Sequence, residues 1–121
     1  PQASPCTADA WSGVSCRGGR VVAVNLADAG LKIVSLEPLS GLTALERVLL
    51  AGNDAGNATL PASWAQLQQL AVVDLTGADV VGGLPEAWGT MTALQQLLLS
   101  GNRLTGMLPA SWAGMAALNS L

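Results

Sequence analysis

Three tryptophans, at positions 64, 88 and 112, lie 24 residues apart, and the residues around them recur at the same interval. Counted from Leu94, apolar residues fall at offsets 0, 3, 5, 10, 14 and 21, with Asn102 at offset 8 and Pro109 at offset 15. The same template fits from Leu70 and, with one extra residue, from Leu45. A fixed interval of this kind predicts a repeat array, in which each repeat buries its apolar face against its neighbours.

The start of each repeat predicts a short extended segment. Alternation places Leu97 and Leu99, at offsets 3 and 5, on the inside of that segment, and Gln96 and Leu98 on its other face. After this run we expect a turn, a second short straight run that ends at Pro109, and a helical or irregular return. The return brings the tryptophan back inward.

The turn after each extended segment is marked by offset 8. An interior Asn there can satisfy turn backbone groups with both a donor and an acceptor. The position reads Ala29, Asn53, Ala78 and Asn102, so only alternate repeats keep the Asn. In the two alanine repeats we expect water or a backbone pair to satisfy the turn.

The motif LxxLxLxxNxLxGxLPxxWxxM resembles the leucine-rich repeat of the plant-type subclass, and residues 104–109 (LTGMLP) match its second half. The resemblance implies an α/β repeat solenoid. This is a right-handed horseshoe with a concave parallel β-sheet and short helical, 3-10 or irregular convex returns. Tryptophan at offset 18 departs from the usual land-plant pattern, and LPxxW is reminiscent of repeats in green-algal and trypanosomatid surface proteins.

The first 20 residues do not fit the repeat, and we predict that they form an N-terminal cap before repeats that start near 21, 45, 70, 94 and, in part, 118. Residues 5–16 (PCTADAWSGVSC) resemble the cap of plant-type leucine-rich repeat proteins. The resemblance implies a Cys6–Cys16 disulfide, with Trp11 and Val14 covering the first coil. Such a bridge contributes roughly 2 to 4 kcal/mol and is typical of proteins outside the cytosol. The alternatives are two free core thiols or a zinc site, for which two Cys and no His supply too few ligands.

The overall composition excludes several classes of function. The net charge is −3 and the five basic residues are scattered, so nucleic-acid binding is not expected. No apolar run approaches the ~18 residues needed to cross a bilayer. Without His, and without paired acids, the chain offers no catalytic group, and we expect a non-enzyme that needs neither metal nor cofactor.

Both ends of the sequence lead to predictions about the natural protein. The chain opens at Pro1 without Met, which we interpret as a mature product whose leader was removed. It stops after four residues of a fifth repeat, at Leu121. We therefore expect either a fragment of a longer chain with further repeats, or self-association that covers the last coil.

In this family, recognition is usually done by exposed strand positions on the concave face, which correspond here to offsets 2, 4 and 6. The candidate binding residues are Arg47, Leu49, Asp74, Thr76, Gln96, Leu98 and Ser100. The tryptophans have two interpretations, a sugar-stacking ladder or buried core. Their spacing of one per coil, beside Leu60, Leu84 and Leu108, favours buried core. Asn57-Ala58-Thr59 is an N-glycosylation sequon in a polar bulge, and Asn57 is its predicted acceptor.

Three functions fit these observations. The first is an extracellular or cell-surface recognition domain that binds a protein, peptide or glycan. The second is a structural module of a cell wall, surface coat or extracellular fibre. The third is a targeting domain of a larger secreted enzyme. The family's habits favour the first.

Overall fold

A computed structural model of the protein describes residues 13–30, 32–33, 35–56 and 58–115. Within these residues the chain forms short strands on one side and 3-10 helices on the other. The strands are β1 (Val14–Arg17), β2 (Arg20–Asn25), β3 (Arg47–Leu49), β4 (Val72–Asp74), β5 (Val81–Gly82), β6 (Gln96–Leu98) and β7 (Arg103–Leu104). The 3-10 helices are η1 (Glu37–Gly41), η2 (Ala62–Gln66), η3 (Glu86–Thr90) and η4 (Ala110–Gly114). We number the coils 1 to 4 from their first residues, Val21, Leu45, Leu70 and Leu94.

The main sheet has the order β1-β2-β3-β4-β6, in which β2 to β6 are parallel and β1 pairs antiparallel at the edge. The middle residue of each parallel three-residue stretch is buried, as the offsets predicted: Val24, Val48, Val73 and Leu97. Ala23 is an exception to the prediction that offset 2 is exposed, since it is buried as well. Its partners in the register are Ser15 on β1 and Arg47 on β3, so it lies between two strands.

A second, smaller sheet follows the turns of coils 3 and 4. Strands β5 and β7 are parallel and pair Val81 with Arg103, and an isolated bridge joins Thr59 to Val81. Gly82 has a φ of 91°, and a Cβ there would lie 3.2 Å from the Thr59 Cγ2 atom. Glycine therefore allows both the left-handed turn and the close approach of coil 2. This sheet is the predicted second straight run.

The convex returns are 3-10 helices of five residues each. Pro61, Pro85 and Pro109 precede η2, η3 and η4 in extended conformation, with ψ between 128° and 139°. At the end of each of these three helices the next backbone N–H donates to the tryptophan carbonyl, as Met91 does to Trp88 at 3.0 Å. Short 3-10 turns suit a return that must cross the coil in a few residues.

The three tryptophans form a stacked ladder inside the solenoid. Trp64 and Trp88 are fully buried, and Trp112 is 5 % exposed. Their ring centroids are 5.8 and 6.2 Å apart, with interplanar angles of 2° and 8°. Each indole N–H donates to a carbonyl of the preceding coil, on Leu36, Pro61 and Pro85, at 2.7 to 2.9 Å. The core interpretation is confirmed, and these rings are not available to stack on a sugar.

The two turn asparagines each serve two coils. The Asn102 Nδ2 group donates to the Leu99 carbonyl of its own coil at 2.9 Å and to the Leu75 carbonyl of coil 3 at 2.7 Å. Its Oδ1 atom accepts the Val80 N–H of coil 3 at 2.8 Å. The expectation of a backbone pair at the alanine turn is confirmed for coil 3, since the Ala78 N–H donates to the Leu75 carbonyl at 3.2 Å and the Ala78 carbonyl accepts the Ala55 N–H at 2.8 Å. The Asn102 side chain of the next coil adds to these backbone pairs, which the repeat template did not predict.

The turn of coil 1 is hydrogen-bonded by the asparagine of coil 2 in the same way. The Asn53 Nδ2 group donates to the Leu50 carbonyl of coil 2 at 3.0 Å and to the Leu26 carbonyl of coil 1 at 2.8 Å. Among the described residues, Asn53 is the polar residue that is buried. A side chain with two donors and an acceptor thus keeps the buried turns of two coils hydrogen-bonded.

Burial falls off at coil 4. Leu108 is 56 % exposed, whereas Leu60, the equivalent residue in coil 2, is 5 % exposed. Met107 is 88 % exposed, at a position where Thr59 and Gly83 are exposed too. Inward-facing positions of a solenoid are buried by the next coil, and none of the described residues packs on the outer side of coil 4. None of the helices in the described ranges is long and apolar enough to span a membrane.

Candidate functional site

The outer surface of the main sheet carries side chains in two straight rows. The register pairs residues across the parallel strands, so equivalent positions lie side by side about 4.8 Å apart. Row A consists of Arg47, Val72 and Gln96, and row B consists of Asn25, Leu49, Asp74 and Leu98. We call these two rows together the strand face. Five of the seven candidate side chains thus lie on the strand face, and the other two, Thr76 and Ser100, lie on the turns two residues after Asp74 and Leu98.

Row A contains a cation without an internal partner. Arg47 is exposed, and within the described residues its side chain makes neither a hydrogen bond nor an ion pair. Two other arginines form ion pairs: Arg17 with Glu46 at 2.8 Å and Arg103 with Asp79 at 2.7 Å. Arg47 is therefore the guanidinium of the strand face that is open to an anionic or polar partner.

Row B alternates between polar and apolar side chains. Asn25 and Asp74 each accept the backbone N–H two residues ahead, from Ala27 at 3.5 Å and from Thr76 at 3.0 Å. These Asx turns close the bend after β2 and β4. Leu49 and Leu98 occupy the same position in coils 2 and 4, where they are half-buried. Asp74 thus has a structural task that its sequence position did not reveal.

Val72 is a contributor to the strand face that was not among the predicted binding residues. It is half-buried between Arg47 and Gln96 in row A. A valine in a three-residue strand is easily assigned to the core, yet the offset count from Leu70 places it outward, and that count was the available signal. Together with Leu49 and Leu98 it makes the strand face partly apolar.

Thr76 and Ser100 form the rim of the strand face. Both are exposed, and their backbone carbonyls accept the Gly52 and Gly77 N–H groups at 3.0 and 2.8 Å. A recess of about 270 Å³ opens beside Ser100, lined also by Leu84, Leu99, Leu104, Thr105 and Gly106. Among the described residues no three acids or cysteines lie close enough together to hold a metal ion.

Two predicted modification sites lie partly outside the described residues. Cys16 lies on β1, but Cys6 is outside the described ranges, so the Cys6–Cys16 disulfide stays a prediction. Asn57 is also outside them, while Thr59 of the same sequon is exposed. Trp11 of the predicted cap is outside them as well.

No protein-family model matches the chain, and no curated protein is similar to it in sequence. Solved structures are similar. The ectodomain of BIR2 from Arabidopsis thaliana is 26 % identical with a TM-score of 0.79, over 90 % of this chain and 58 % of that one. The leucine-rich-repeat ectodomain of the receptor kinase SOBIR1 from Arabidopsis thaliana is 25 % identical with a TM-score of 0.82, over 100 % of this chain and 68 % of that one.

A third similar structure is the BIR3–SERK2 complex from Arabidopsis thaliana, at 27 % identity and a TM-score of 0.80. The similarity covers 91 % of this chain and 60 % of that one. The chain therefore spans 58 % of the length of the BIR2 ectodomain. These structures confirm the predicted right-handed leucine-rich-repeat solenoid and its likeness to plant-type ectodomains.

Proposed function

We propose that this chain is a non-catalytic recognition domain that binds a protein or peptide across the strand face. The observation that carries the proposal is the combination of two half-buried leucines, Leu49 and Leu98, with the unpaired guanidinium of Arg47 on one rigid surface. Apolar anchors supply affinity and a partner-free charge supplies orientation. The BIR3–SERK2 complex contains a chain of similar fold bound in a protein complex, and it supports a protein partner.

Rigidity of the strand face favours recognition. Its strands are joined by parallel ladders, and behind them lie buried leucines, valines and the tryptophan ladder. A preformed surface loses little conformational entropy when it binds. A glycan partner is less well supported, because the three described tryptophans are buried and none can provide a stacking platform.

We place the domain outside the cell or at the cell surface, as the ectodomain neighbours and the predicted cap suggest. The proposal includes the Cys6–Cys16 disulfide and glycosylation at Asn57. Both are tested together by the intact mass of the secreted protein, before and after enzymatic removal of N-glycans and with thiol alkylation. Alkylation of the native protein, or an unchanged mass after glycan removal, would contradict the corresponding site.

The binding proposal is tested by comparing capture with matched surface variants. The protein, its double variant Leu49→Asp/Leu98→Asp and a convex control, Ala62→Asp/Ala110→Asp, are immobilised and exposed to the extracellular proteins of the source organism. Both variants add the same charge at exposed or half-buried positions. We expect a protein that binds the wild type and the convex control, and binds the strand-face variant at least about tenfold more weakly. Equal capture by all three would overturn the proposal.

A structural module of a wall, coat or fibre is the second candidate, and the exposed Leu108 and Met107 of coil 4 favour it. Exposed apolar side chains promote association between chains. Sedimentation of the isolated chain should then show concentration-dependent oligomers that Leu108→Asp abolishes. A monomer at all concentrations would rule this candidate out.

A further inference from the structure

Row B presents an acid between two apolar side chains on three neighbouring strands. Leu49 pairs in register with Asp74, and Asp74 with Leu98. At the usual separation of parallel strands, Asp74 lies about 4.8 Å from each leucine position, and the two leucine positions are about 9.6 Å apart. A partner that uses both leucines must therefore also cover the carboxylate.

The Asp74 carboxylate needs a cation once it is covered. It is half-buried, and one oxygen accepts the Thr76 N–H. In the described part of the chain it forms no ion pair, because the two ion pairs found there involve Glu46 and Asp79. Removing water from an ionised carboxylate without supplying a counter-charge is costly. The partner should therefore place a Lys or Arg side chain between two apolar ones.

The spacing of the row B residues distinguishes between possible backbone conformations of the partner. In an α-helix, residues i, i+4 and i+7 lie on one face and rise by about 6 and about 10.5 Å, which is within about 1 Å of row B. Same-face residues of a β-strand are about 6.7 Å apart, so three of them span about 13 Å. In a polyproline II segment, i and i+3 are about 9.3 Å apart, but the residues between them point to other faces.

We infer that the strand face takes an amphipathic α-helix that lies across the strands, with apolar residues at i and i+7 and a Lys or Arg at i+3 or i+4. The inference rests on the proposed function and names the recognition element of the partner. In row A, beside it, Arg47 favours an acid and Val72 an apolar residue on the flank of the same helix. The net charge of −3 also favours a partner with a basic surface.

The first test is a selection from two displayed libraries on the intact chain. One library randomises the exposed face of a helical hairpin, and the other consists of linear peptides held extended by flanking prolines. Binders are counter-selected on the Leu49→Asp/Leu98→Asp variant. We expect helical binders with a basic residue between two apolar ones. If only extended peptides bind through these leucines, the helix inference fails and the proposed function stands. If neither library yields such binders, both fail.

The second test isolates the charge of Asp74 without disturbing the turn. Asn25 holds the equivalent turn of coil 1 with an amide oxygen, so Asp74→Asn keeps the acceptor for the Thr76 N–H. A selected helix with Lys at i+4 should bind Asp74→Asn about tenfold more weakly than wild type. The same helix with Gln at i+4 should bind both proteins equally. Equal affinity of the Lys helix for the two proteins would overturn the inference.

Discussion

Coils 2 and 4 solve the same folding problem differently from coils 1 and 3. Coils 2 and 4 carry Asn53 and Asn102 at the turn and a leucine in row B of the strand face. Coils 1 and 3 carry alanine at the turn and an Asx residue in row B that closes the bend. In coils 2 and 4 the side chain that hydrogen-bonds the backbone after the strand is thus a turn asparagine. In coils 1 and 3 an Asx residue of the strand face makes such a bond.

This alternation teaches that turn chemistry and surface chemistry are coupled. Because each asparagine also serves the preceding coil, that coil can replace its own asparagine with alanine. Coils 2 and 4 have their turns held from within and can place Leu49 and Leu98 on the surface. The apolar anchors of the proposed binding face therefore recur with every second coil.

Loss of Asn102 should cause the largest effect. Asn102→Ala removes a donor from the Leu99 carbonyl, one of the two donors to the Leu75 carbonyl, and the acceptor of the Val80 N–H, in two coils at once. We expect a loss of about 3 kcal/mol in the free energy of unfolding, measured by urea denaturation. Gln96→Ala, an exposed change in the same coil, should stay within about 0.5 kcal/mol. A loss below about 1 kcal/mol for Asn102→Ala would mean that asparagine does not link the coils.

For the tryptophans we expect the opposite order, with a larger loss of stability from coil 3 than from coil 4. Trp88 lies in coil 3, which lacks a turn asparagine, yet it stacks on both Trp64 and Trp112 and donates to the Pro61 carbonyl. Trp88→Phe should therefore cost about 2 kcal/mol. Trp112→Phe, with one stacked neighbour and slight exposure, should cost less. Equal losses in denaturation, with unchanged near-UV circular dichroism, would show that stacking between coils contributes nothing.

The Asx turn of coil 3 predicts an intermediate effect. Asp74→Ala leaves the Thr76 N–H without its 3.0 Å acceptor and should cost about 1 kcal/mol. Asp74→Asn should be neutral, as Asn25 in coil 1 indicates. Thermal unfolding of both variants checks the difference. Identical melting temperatures would mean that Asp74 is free of a structural task and belongs to the surface alone.

How far the sequence could predict these features follows from what each one depends on. The burial of Val48, Leu97 and Trp88 follows from counting offsets, since the direction of a side chain is set by its own coil. The service of coil 3 by Asn102 depends on the distance between adjacent turns, which a repeat template does not contain. The half-buried position of Asp74 and the burial of Ala23 likewise depend on which residues lie beside them in the sheet.

The same dependence applies to the candidate site. The offset count places Arg47, Leu49, Gln96 and Leu98 on the outer side of the sheet, and the structure puts them in two adjacent rows. Arg103 is paired with Asp79, whereas Arg47 has no partner among the described residues, and this difference depends on the positions of side chains from different coils. Binding by these residues stays a prediction until a partner is found.

We expect the smallest change in stability at offset 9, where coils 1 and 3 differ from coils 2 and 4 in backbone conformation as well. Coils 1 and 3 place Gly30 and Asp79 there with φ of 70° and 65°, whereas Asp54 and Arg103 in coils 2 and 4 do not have positive φ. Asp79→Gly should relieve a left-handed non-glycine residue while removing a half-exposed ion pair with Arg103, so stability should remain within about 0.5 kcal/mol. Asp54→Gly relieves nothing and removes an acceptor from the Gly56 N–H, so it should cost about 1 kcal/mol. If denaturation shows equal losses at the two positions, the alternation is confined to side chains and does not reach the backbone of the turn.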